Sequence, residues 1–389
     1  MPPDPLSLPA LRDLLARLVR IPSVNPAIAP DEAQGEFAVA TFARDWLDEH
    51  GVQAWLEEAA PRRPNVVAQV GRGEGPALVL AGHLDTVGTA GMDQPFEPWV
   101  EGDRLYGRGA YDMKCGIAAC MAAAAALARE DLPGQVLLAL VADEEYASVG
   151  AQAFVENHRA DACILTEPSE GNLVLAHKGF VWADVATRGR AAHGSRWDLG
   201  DSAIARMGRV IMALDRLDRE TLRARTHPLV GPASMHCAMV EGGVGLSTYA
   251  PECRMRIERR TLPGETAEAA LAEIERVARE ADPTAVVTAG LSRTPMLCPA
   301  GAPIASAVRA AAAEVVGRPV PEVGVQYWMD AAIFDAAGIP TVDFGPTGAG
   351  AHETTEWVSL ESVAVTAQVL ARTARRFCGA GERAGETRG

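Results

Sequence analysis

The sequence lacks any excess of basic residues. Among its 389 residues, 51 are acidic and 36 are basic, which gives a formal net charge of −15 at pH 7. Nucleic acids and anionic membranes are bound by basic surfaces, so this balance argues against both kinds of partner. A small anionic substrate is still compatible with it, because one local arginine can hold such a substrate.

A cysteine framework is also missing. The seven cysteines are odd in number, none belongs to a C-x-x-C pair, and several lie in apolar runs. Disulfide scaffolds of secreted proteins use paired cysteines at regular spacings. We therefore expect reduced, mostly buried thiols and a cytoplasmic protein.

No long apolar run is present. The longest, residues 117–128, is mostly alanine and is too short to cross a membrane. Residues 1–20 lack a basic segment followed by an apolar block, so we expect no signal peptide. With 48% hydrophobic and 22% charged residues, the composition is that of a globular chain, and its length favours two domains.

Four short apolar runs alternate with helical patterns. Strands that are buried on both faces of a parallel sheet have this composition. We therefore predict an α/β domain with a largely parallel sheet. The runs cover residues 77–81, 135–142, 161–166 and 338–344.

A different pattern begins near residue 179. Residues 181–186 and 253–258 alternate with a period of two, and helical patterns cover 202–217 and 265–281. This combination predicts a smaller α+β unit inserted into the larger domain. The predicted division is 1–180 with 295–389 for the sheet domain and 181–294 for the insert.

Polar residues gather just past the ends of the apolar runs. Ligands of open α/β sheets bind at the carboxyl ends of the strands, so these residues can converge. They are His83 and Asp85 after the first run, Glu144 and Glu145 after the second, Glu167 after the third and His352 beyond the fourth, joined by Asp112 after a glycine-rich loop.

Histidine and carboxylates without cysteine suit Zn²⁺, Co²⁺ or Mn²⁺ in an open, catalytic site. Two ions about 3.5–4 Å apart need one shared carboxylate and further ligands for each ion. Asp112 can serve as the shared ligand. His83 and Glu167 can then complete one site, and Glu145 and His352 can complete the other.

Two carboxylates remain. Glu144 can take a proton from the attacking water and pass it to a leaving nitrogen. Asp85 lies two residues beyond His83 and can accept the second ring N–H, which would fix the tautomer. Each residue alone has a structural alternative, such as a loop hydrogen bond for Asp85, a solvated glutamate pair or a helix cap for Asp112. The combination is more specific, because nearly all of these residues follow strands in one order.

The surroundings of these residues resemble the M20 metallopeptidase/deacylase family, and the resemblance covers nearly the whole chain. It implies a hydrolase with two zinc (or cobalt) ions, the ligands and base named above, and a cis peptide bond after Asp112. It also implies that the insert is a lid through which a homodimer forms. The matching segments are GHLDTV at 82–87, GRGAYDMK at 107–114, DEE at 143–145, TEP at 166–168 and GAHETTE at 350–356.

The resemblance extends into the insert. His193 is similar to a family histidine that reaches the partner subunit's active site and steadies the oxyanion, although a turn is the structural alternative. Arg260 matches an arginine position that can hold a substrate carboxylate, with a salt bridge as the alternative. The segment around Thr248 departs from the asparagine pattern of many relatives, but Thr248 can still donate a hydrogen bond. Cys115 replaces a glycine that many relatives have.

The resemblance implies hydrolysis of the amide bond in a small N-acylated amino acid, as in acetylornithine deacetylases. A dipeptidase, a carboxypeptidase or a succinyl-diaminopimelate desuccinylase of the same family is the alternative. A non-catalytic metal-binding protein is disfavoured, because binding alone does not need Glu144. A serine hydrolase is disfavoured, because no G-x-S-x-G motif is present. Trp328 and Met329 are candidates either for the substrate pocket or for the core, and Asp330 matches a family aspartate near the metals.

Overall fold

The computed structural model describes residues 4–89 and 91–379. Internal packing divides the chain into two units. Within the described residues, the first unit comprises 4–175, 298–323 and 329–379, and the second comprises 176–297 and 324–328.

The second unit is larger than the predicted insert, because it also contains residues 176–180, 295–297 and 324–328, which the sequence prediction placed in the sheet domain. The segment 324–328 packs within the second unit. Gly324 lies close against Leu229 and Val230, and the indole nitrogen of Trp328 donates a hydrogen bond to the carbonyl oxygen of Thr294. Trp328 therefore has a packing role, and Met329, which follows it, is buried in the first unit.

The amino-terminal part of the first unit contains both helices and strands, and its last strand continues into the second unit. Its elements are α1 (Leu8–Val19), α2 (Phe37–Glu49), β1 (Gln53–Ala60), β2 (Arg63–Gly71), β3 (Ala77–His83), β4 (Trp99–Glu101), β5 (Arg104–Tyr106), α3 (Lys114–Leu127), β6 (Gln135–Val141), α4 (Val149–Asn157), β7 (Ala162–Leu165) and β8 (Leu173–His177).

The second unit follows. Its elements are β9 (Gly179–Arg188), α5 (Ala203–Arg216) with a π-helical turn over Leu217–Leu222, β10 (Thr226–His227), β11 (Gly231–Pro232), β12 (Ser234–Gly242), β13 (Glu252–Thr261), α6 (Ala267–Ala281), β14 (Val286–Arg293) and β15 (Met296–Leu297). The chain then forms α7 (Pro303–Val316), β16 (Glu322–Val325), α8 (Ala331–Ala336), β17 (Thr341–Asp343), β18 (Gly348–Ala349), β19 (Trp357–Ser359) and α9 (Leu360–Cys378).

Parallel strands form the centre of the sheet in the first unit. Neighbouring strands follow the order β1-β2-β6-β3-β7-β17-β8. The pairs β6–β3, β3–β7 and β7–β17 are parallel, and the outer pairs are antiparallel. These four parallel strands are the four apolar runs of the sequence. The predicted α/β fold with a largely parallel sheet is therefore confirmed.

Helix α3 is buried on every face. Thirteen of its fourteen residues are buried, and it packs against α1, α9 and the sheet. Its alanines allow this close approach, since they present little side-chain volume. The helix begins two residues after Asp112, so its packing fixes the end of the loop that carries this aspartate.

The second unit contains a four-stranded antiparallel sheet in the order β12-β13-β9-β14, with α5 and α6 packed against it. Burial alternates along β9 and β13, as the sequence period of two predicts. Both predicted helices are present, and each has a side-chain cap: Ser202 accepts from the backbone N–H of Ala205, and Thr266 from that of Ala269.

Two further features concern the cysteines and the helices. All seven cysteines are free thiols, and six of them are buried. Across residues 4–89 and 91–379, no helix is both long enough and apolar enough to cross a membrane.

Candidate metal centre

Four of the predicted site residues lie where neighbouring parallel strands end. His83 is the last residue of β3, Glu144 and Glu145 lie shortly after β6, and Glu167 lies two residues after β7. Since β6, β3 and β7 are parallel neighbours, their carboxyl ends meet at the same edge of the sheet. The fold thus gathers residues that are more than eighty positions apart.

Asp112 faces two histidines, one with each carboxylate oxygen. Its Oδ1 lies 3.2 Å from Nε2 of His83, and its Oδ2 lies 3.3 Å from Nε2 of His352. Oε1 of Glu167 is 3.5 Å from the same His83 nitrogen, and Oε2 of Glu145 is 3.2 Å from the same His352 nitrogen. The five side chains therefore form two groups that share Asp112. The peptide bond after this aspartate is cis, as the resemblance implies.

This donor set fits two divalent cations. Ligand atoms of His83, Asp112 and Glu145 lie within 4.8 Å of one another, and so do those of His83, Glu144 and Glu167. Oε1 of Glu145 is buried and has no hydrogen-bond donor among the described residues. A buried carboxylate oxygen without a donor is costly unless a cation meets it. Histidines combined with carboxylates are ligands that zinc and cobalt accept in open sites.

Glu144 belongs to the side of His83 and Glu167. Burial raises its pKa well above the ordinary value, and the negative charges of Asp330, Glu167 and Glu145 raise it further, against an opposing effect of His83. A carboxyl group whose proton affinity is raised in this way suits a base that must also return the proton. Its distance from His83 and Glu167 would also allow a ligand role, and substitution separates the two roles.

The electrostatics differ between the shared aspartate and its neighbours. Burial alone would raise the pKa of Asp112, but hydrogen bonds with His352 and His83 hold it below its ordinary value. Burial raises the pKa of Glu167 and of Glu145. Hydrogen bonds to Asp112 and Glu145 raise the pKa of His352 to about 10. Asp112 thus stays ionised most readily, and cation binding must displace protons from its neighbours.

Asp85 makes contacts beyond the one that the sequence predicts. Nδ1 of His83 lies 2.9 Å from the backbone oxygen of Asp85 but 3.5 Å from Oδ1, so the main-chain carbonyl makes the closer contact. The carboxylate accepts hydrogen bonds from the backbone N–H groups of Glu144 and Glu145, at 3.1 and 3.2 Å. The side chain therefore anchors the glutamate pair in addition to facing the imidazole of His83, and its predicted role in fixing the tautomer stays a prediction.

A buried network behind the glutamates was missed by the sequence analysis. Nδ2 of Asn25 donates to Asp85 at 2.7 Å and to Asp143 at 3.0 Å. Nη1 of Arg63 donates to the same oxygen of Asp143 at 2.6 Å, and its Nε donates to Glu36 at 2.9 Å. Asp143 precedes Glu144 and has a φ of 71°, so this network holds a left-handed turn. Only tertiary structure brings these residues together, and no short motif marks Asn25, Arg63 or Glu36.

His193, Thr248 and Arg260 lie in the second unit. His193 and Thr248 are paired by an isolated β-bridge, and both are exposed. Nδ1 of His193 lies 2.8 Å from Oγ of Ser195. Nε of Arg260 donates to Glu258 at 2.8 Å. The structure thus brings His193 and Thr248 together, and it gives Arg260 a salt-bridge partner within its own strand.

Sequence comparison identifies close relatives along the whole chain. Residues 79–376 match peptidase family M20/M25/M40. The chain is 33% identical over 389 residues to an acetylornithine deacetylase from Myxococcus xanthus, covering 96% of this chain and 99% of that protein. It is 29% identical over 393 residues to an acetylornithine deacetylase from Vibrio vulnificus, covering 96% of this chain and 100% of that one.

Solved structures share the fold. Aminopeptidase PepT from Bacillus cereus superposes with a TM-score of 0.78 at 20% identity, covering 95% of this chain and 99% of that chain. A dinuclear metal-binding peptidase of the M20 family from Bacillus subtilis gives a TM-score of 0.72 at 18% identity, covering 96% of this chain and 98% of that chain. The chain therefore belongs to peptidase family M20/M25/M40 and is a metal-dependent amidohydrolase.

Proposed function

We propose that this enzyme removes the acyl group from a small N-acylated amino acid, as an acetylornithine deacetylase does. The observation that carries the proposal is the pair of ligand groups sharing Asp112, with Glu144 beside them. Full-length similarity to two acetylornithine deacetylases supports the choice of substrate class.

In this proposal His83 and Glu167 hold one divalent ion, Glu145 and His352 hold the other, and Asp112 is shared by both. Zinc or cobalt fits the histidine and carboxylate donors. When bound, the two ions supply Lewis-acid chemistry for the amide carbonyl and for the attacking water.

The chain's own part in the reaction is proton transfer and orientation. Glu144 takes the proton of the attacking water and delivers it to the amide nitrogen, which must be protonated to leave as an amine. Asp85 holds the backbone of Glu144 in place through the hydrogen bond at 3.1 Å. Arg260 and Thr248 are proposed substrate contacts, with Arg260 directed at the carboxylate of the amino acid.

A substrate panel tests the proposal. Purified enzyme loaded with Zn²⁺ or Co²⁺ is assayed for release of primary amine from N-acetyl amino acids, N-succinyl amino acids and dipeptides. We expect N-acetyl amino acids, with N-acetylornithine among them, to have the highest kcat/KM. A higher value for dipeptides would make the enzyme a dipeptidase, and a higher value for N-succinyl substrates would make it a desuccinylase.

We further propose a homodimer formed through the second unit, in which His193 of one subunit serves the site of the other. Within the described residues β12 is an outer strand of its sheet, and Met239 and Val240 on it are 50% and 57% exposed. A long apolar edge strand is a template for pairing with another chain. Strand β9 does not offer such an edge, because it lies between β13 and β14.

Subunit mixing tests the composite site. We expect a mixture of His193→Ala and Glu144→Gln proteins to regain activity, because a hybrid dimer has one site with both lesions and one with none. Activity no greater than the sum of the two parents, or a monomer in sedimentation at assay concentration, would exclude this arrangement.

A cytoplasmic location is also proposed. Seven free thiols, six of them buried, support it, because reducing compartments keep cysteines unpaired. Fractionation of the source cells would check this location.

A further inference from the structure

The loops that carry Asp112 and His352 both extend from strands of one small sheet. Strands β18 and β19 form an antiparallel hairpin with His352 in its connection. Strand β19 also pairs with β5, with Trp357 opposite Tyr106. Strand β5 leads directly into the loop that ends at Asp112, so the two ligand loops leave the same sheet side by side.

Glu356, at the base of this hairpin, is bound to the loop of Asp112. It is 1% exposed. Its Oε1 accepts the backbone N–H groups of Tyr111 at 2.8 Å and of Asp112 itself at 3.0 Å. Its Oε2 accepts the backbone N–H of Gly109 at 3.1 Å and Nη1 of Arg108 at 2.6 Å. One carboxylate therefore satisfies four donors of the loop that positions the shared ligand.

Arg108 makes the reciprocal connection. It is 1% exposed, and its Nη2 donates at 2.9 Å to the backbone oxygen of Glu353, the residue after His352. A buried ion pair contributes little net stability compared with apolar residues of the same volume. The specific consequence of this pair is geometric, because it ties the backbone next to each ligand to the opposite loop.

We propose that Glu356 and Arg108 are positioning residues that couple Asp112 to His352 and thereby set the affinity of the cation position formed by Asp112, Glu145 and His352. The inference rests on the proposed two-ion site. The other cation position is completed by His83, the last residue of β3, and by Glu167, which follows β7. Among the described residues, neither of them makes a hydrogen bond to Glu356 or Arg108. This position is connected to Glu356 and Arg108 only through Asp112, so we expect its affinity for the cation to change less.

Cobalt titration of the metal-free enzyme tests the inference. Calorimetry and the visible absorption of Co²⁺ follow the two binding events, and a His352→Ala variant identifies the event that belongs to the second position. We expect Glu356→Gln to weaken that event by about 10–100-fold, the usual effect of losing a partner that orients a metal ligand. The other event should change by roughly threefold or less, and saturating Co²⁺ should restore most of kcat, since neither residue of the pair reacts.

Arg108→Lys provides a second variant and keeps the charge. We expect it to weaken the same event, because lysine lacks the fork that reaches both Glu356 and Glu353. Glu130→Gln is the matched control: it breaks an exposed pair with Arg375, 2.7 Å long, and should leave both events unchanged.

Three results would overturn the inference. The first is an equal weakening of both Co²⁺-binding events, and the second is no change of either event in either variant. The third is a Glu356→Gln protein that does not fold without metal, together with an Arg108→Lys protein that binds Co²⁺ normally. A wild-type enzyme that takes up a single ion would instead contradict the two-ion function itself, so the two failures are distinguishable.

Discussion

Glu144 and Glu145 are adjacent in sequence but face different groups. Glu145 lies 3.2 Å from Nε2 of His352, whereas Glu144 lies near His83 and Glu167. Both backbone N–H groups are held by Asp85. The sequence shows only an acidic pair, and it is the turn after β6 that separates a proposed base from a proposed ligand.

Substitution of Glu144 by glutamine tests that separation. The amide keeps the shape but cannot accept the proton, so we expect kcat to fall by about 10²–10⁴-fold. Metal content, measured by elemental analysis, should stay near two ions per chain. Loss of metal in this variant would make Glu144 a ligand and reverse the roles of the two glutamates. Glu74→Gln, at an exposed salt bridge with Arg72, is the control and should leave both quantities unchanged.

Asn25 provides a test of how Asp85 supports the turn that carries Glu144 and Glu145. Asn25→Ala removes the donor shared by Asp85 and Asp143 without touching His83. If Asp85 anchors the glutamate turn, we expect kcat or metal affinity to fall by about 10–100-fold. Wild-type values of both quantities in this variant would show that Asn25 does not support the turn that carries the glutamates. Asn157→Ala, which removes an exposed hydrogen bond to Glu57, is the matched control.

At the level of elements, the sequence predicts what its periodicity encodes. The central strands could be predicted because both of their faces are buried. Helices α5 and α6 could be predicted because each has one apolar face. Strand β14 was not predicted, because its burial does not alternate. The ligands were found because they follow strands in order. Arg63 and Glu36 were not, because their function depends on packing between segments that are distant in sequence.

Two helical glycines make a matched pair for testing how packing supports the site. A Cβ on Gly116 in α3 would lie 2.3 Å from the backbone oxygen of Thr166, next to Glu167, whereas a Cβ on Gly208 in α5 would meet nothing within 4 Å. We expect Gly116→Ala to lower the free energy of unfolding by about 1–3 kcal/mol through overpacking. Gly208→Ala should raise it by about 0.5–1 kcal/mol through helix propensity.

Urea unfolding, followed by circular dichroism, gives both values. Metal affinity should fall with Gly116→Ala as well, because the backbone beside Glu167 must shift, and it should stay unchanged with Gly208→Ala. A Gly116→Ala protein as stable as wild type would show that the loop after β7 yields at little cost.

On the scale of the whole molecule, the candidate metal centre concentrates negative charge that the fold does not neutralise by itself. Among the described residues, the histidines that face Asp112, Glu144, Glu145 and Glu167 are His83 and His352, and burial raises the pKa of each glutamate. These four carboxylates belong to a chain whose formal net charge is −15. Folding therefore brings like charges together, and bound cations are expected to offset that repulsion.

Removal of metal should consequently destabilise the enzyme. A cation that binds only the folded state stabilises it by about 2.7 kcal/mol when its free concentration is 100 times Kd. We expect Tm to fall after chelation and dialysis, and to rise again with the concentration of Zn²⁺ or Co²⁺. Asp112→Ala should lose most of this dependence, because the shared ligand serves both positions, whereas Glu144→Gln should retain it. Scanning calorimetry measures the Tm of four proteins: the wild type, the two variants and Glu130→Gln as the control. A Tm that does not change when metal is shown to be absent would mean that the folded chain tolerates its clustered carboxylates without cations.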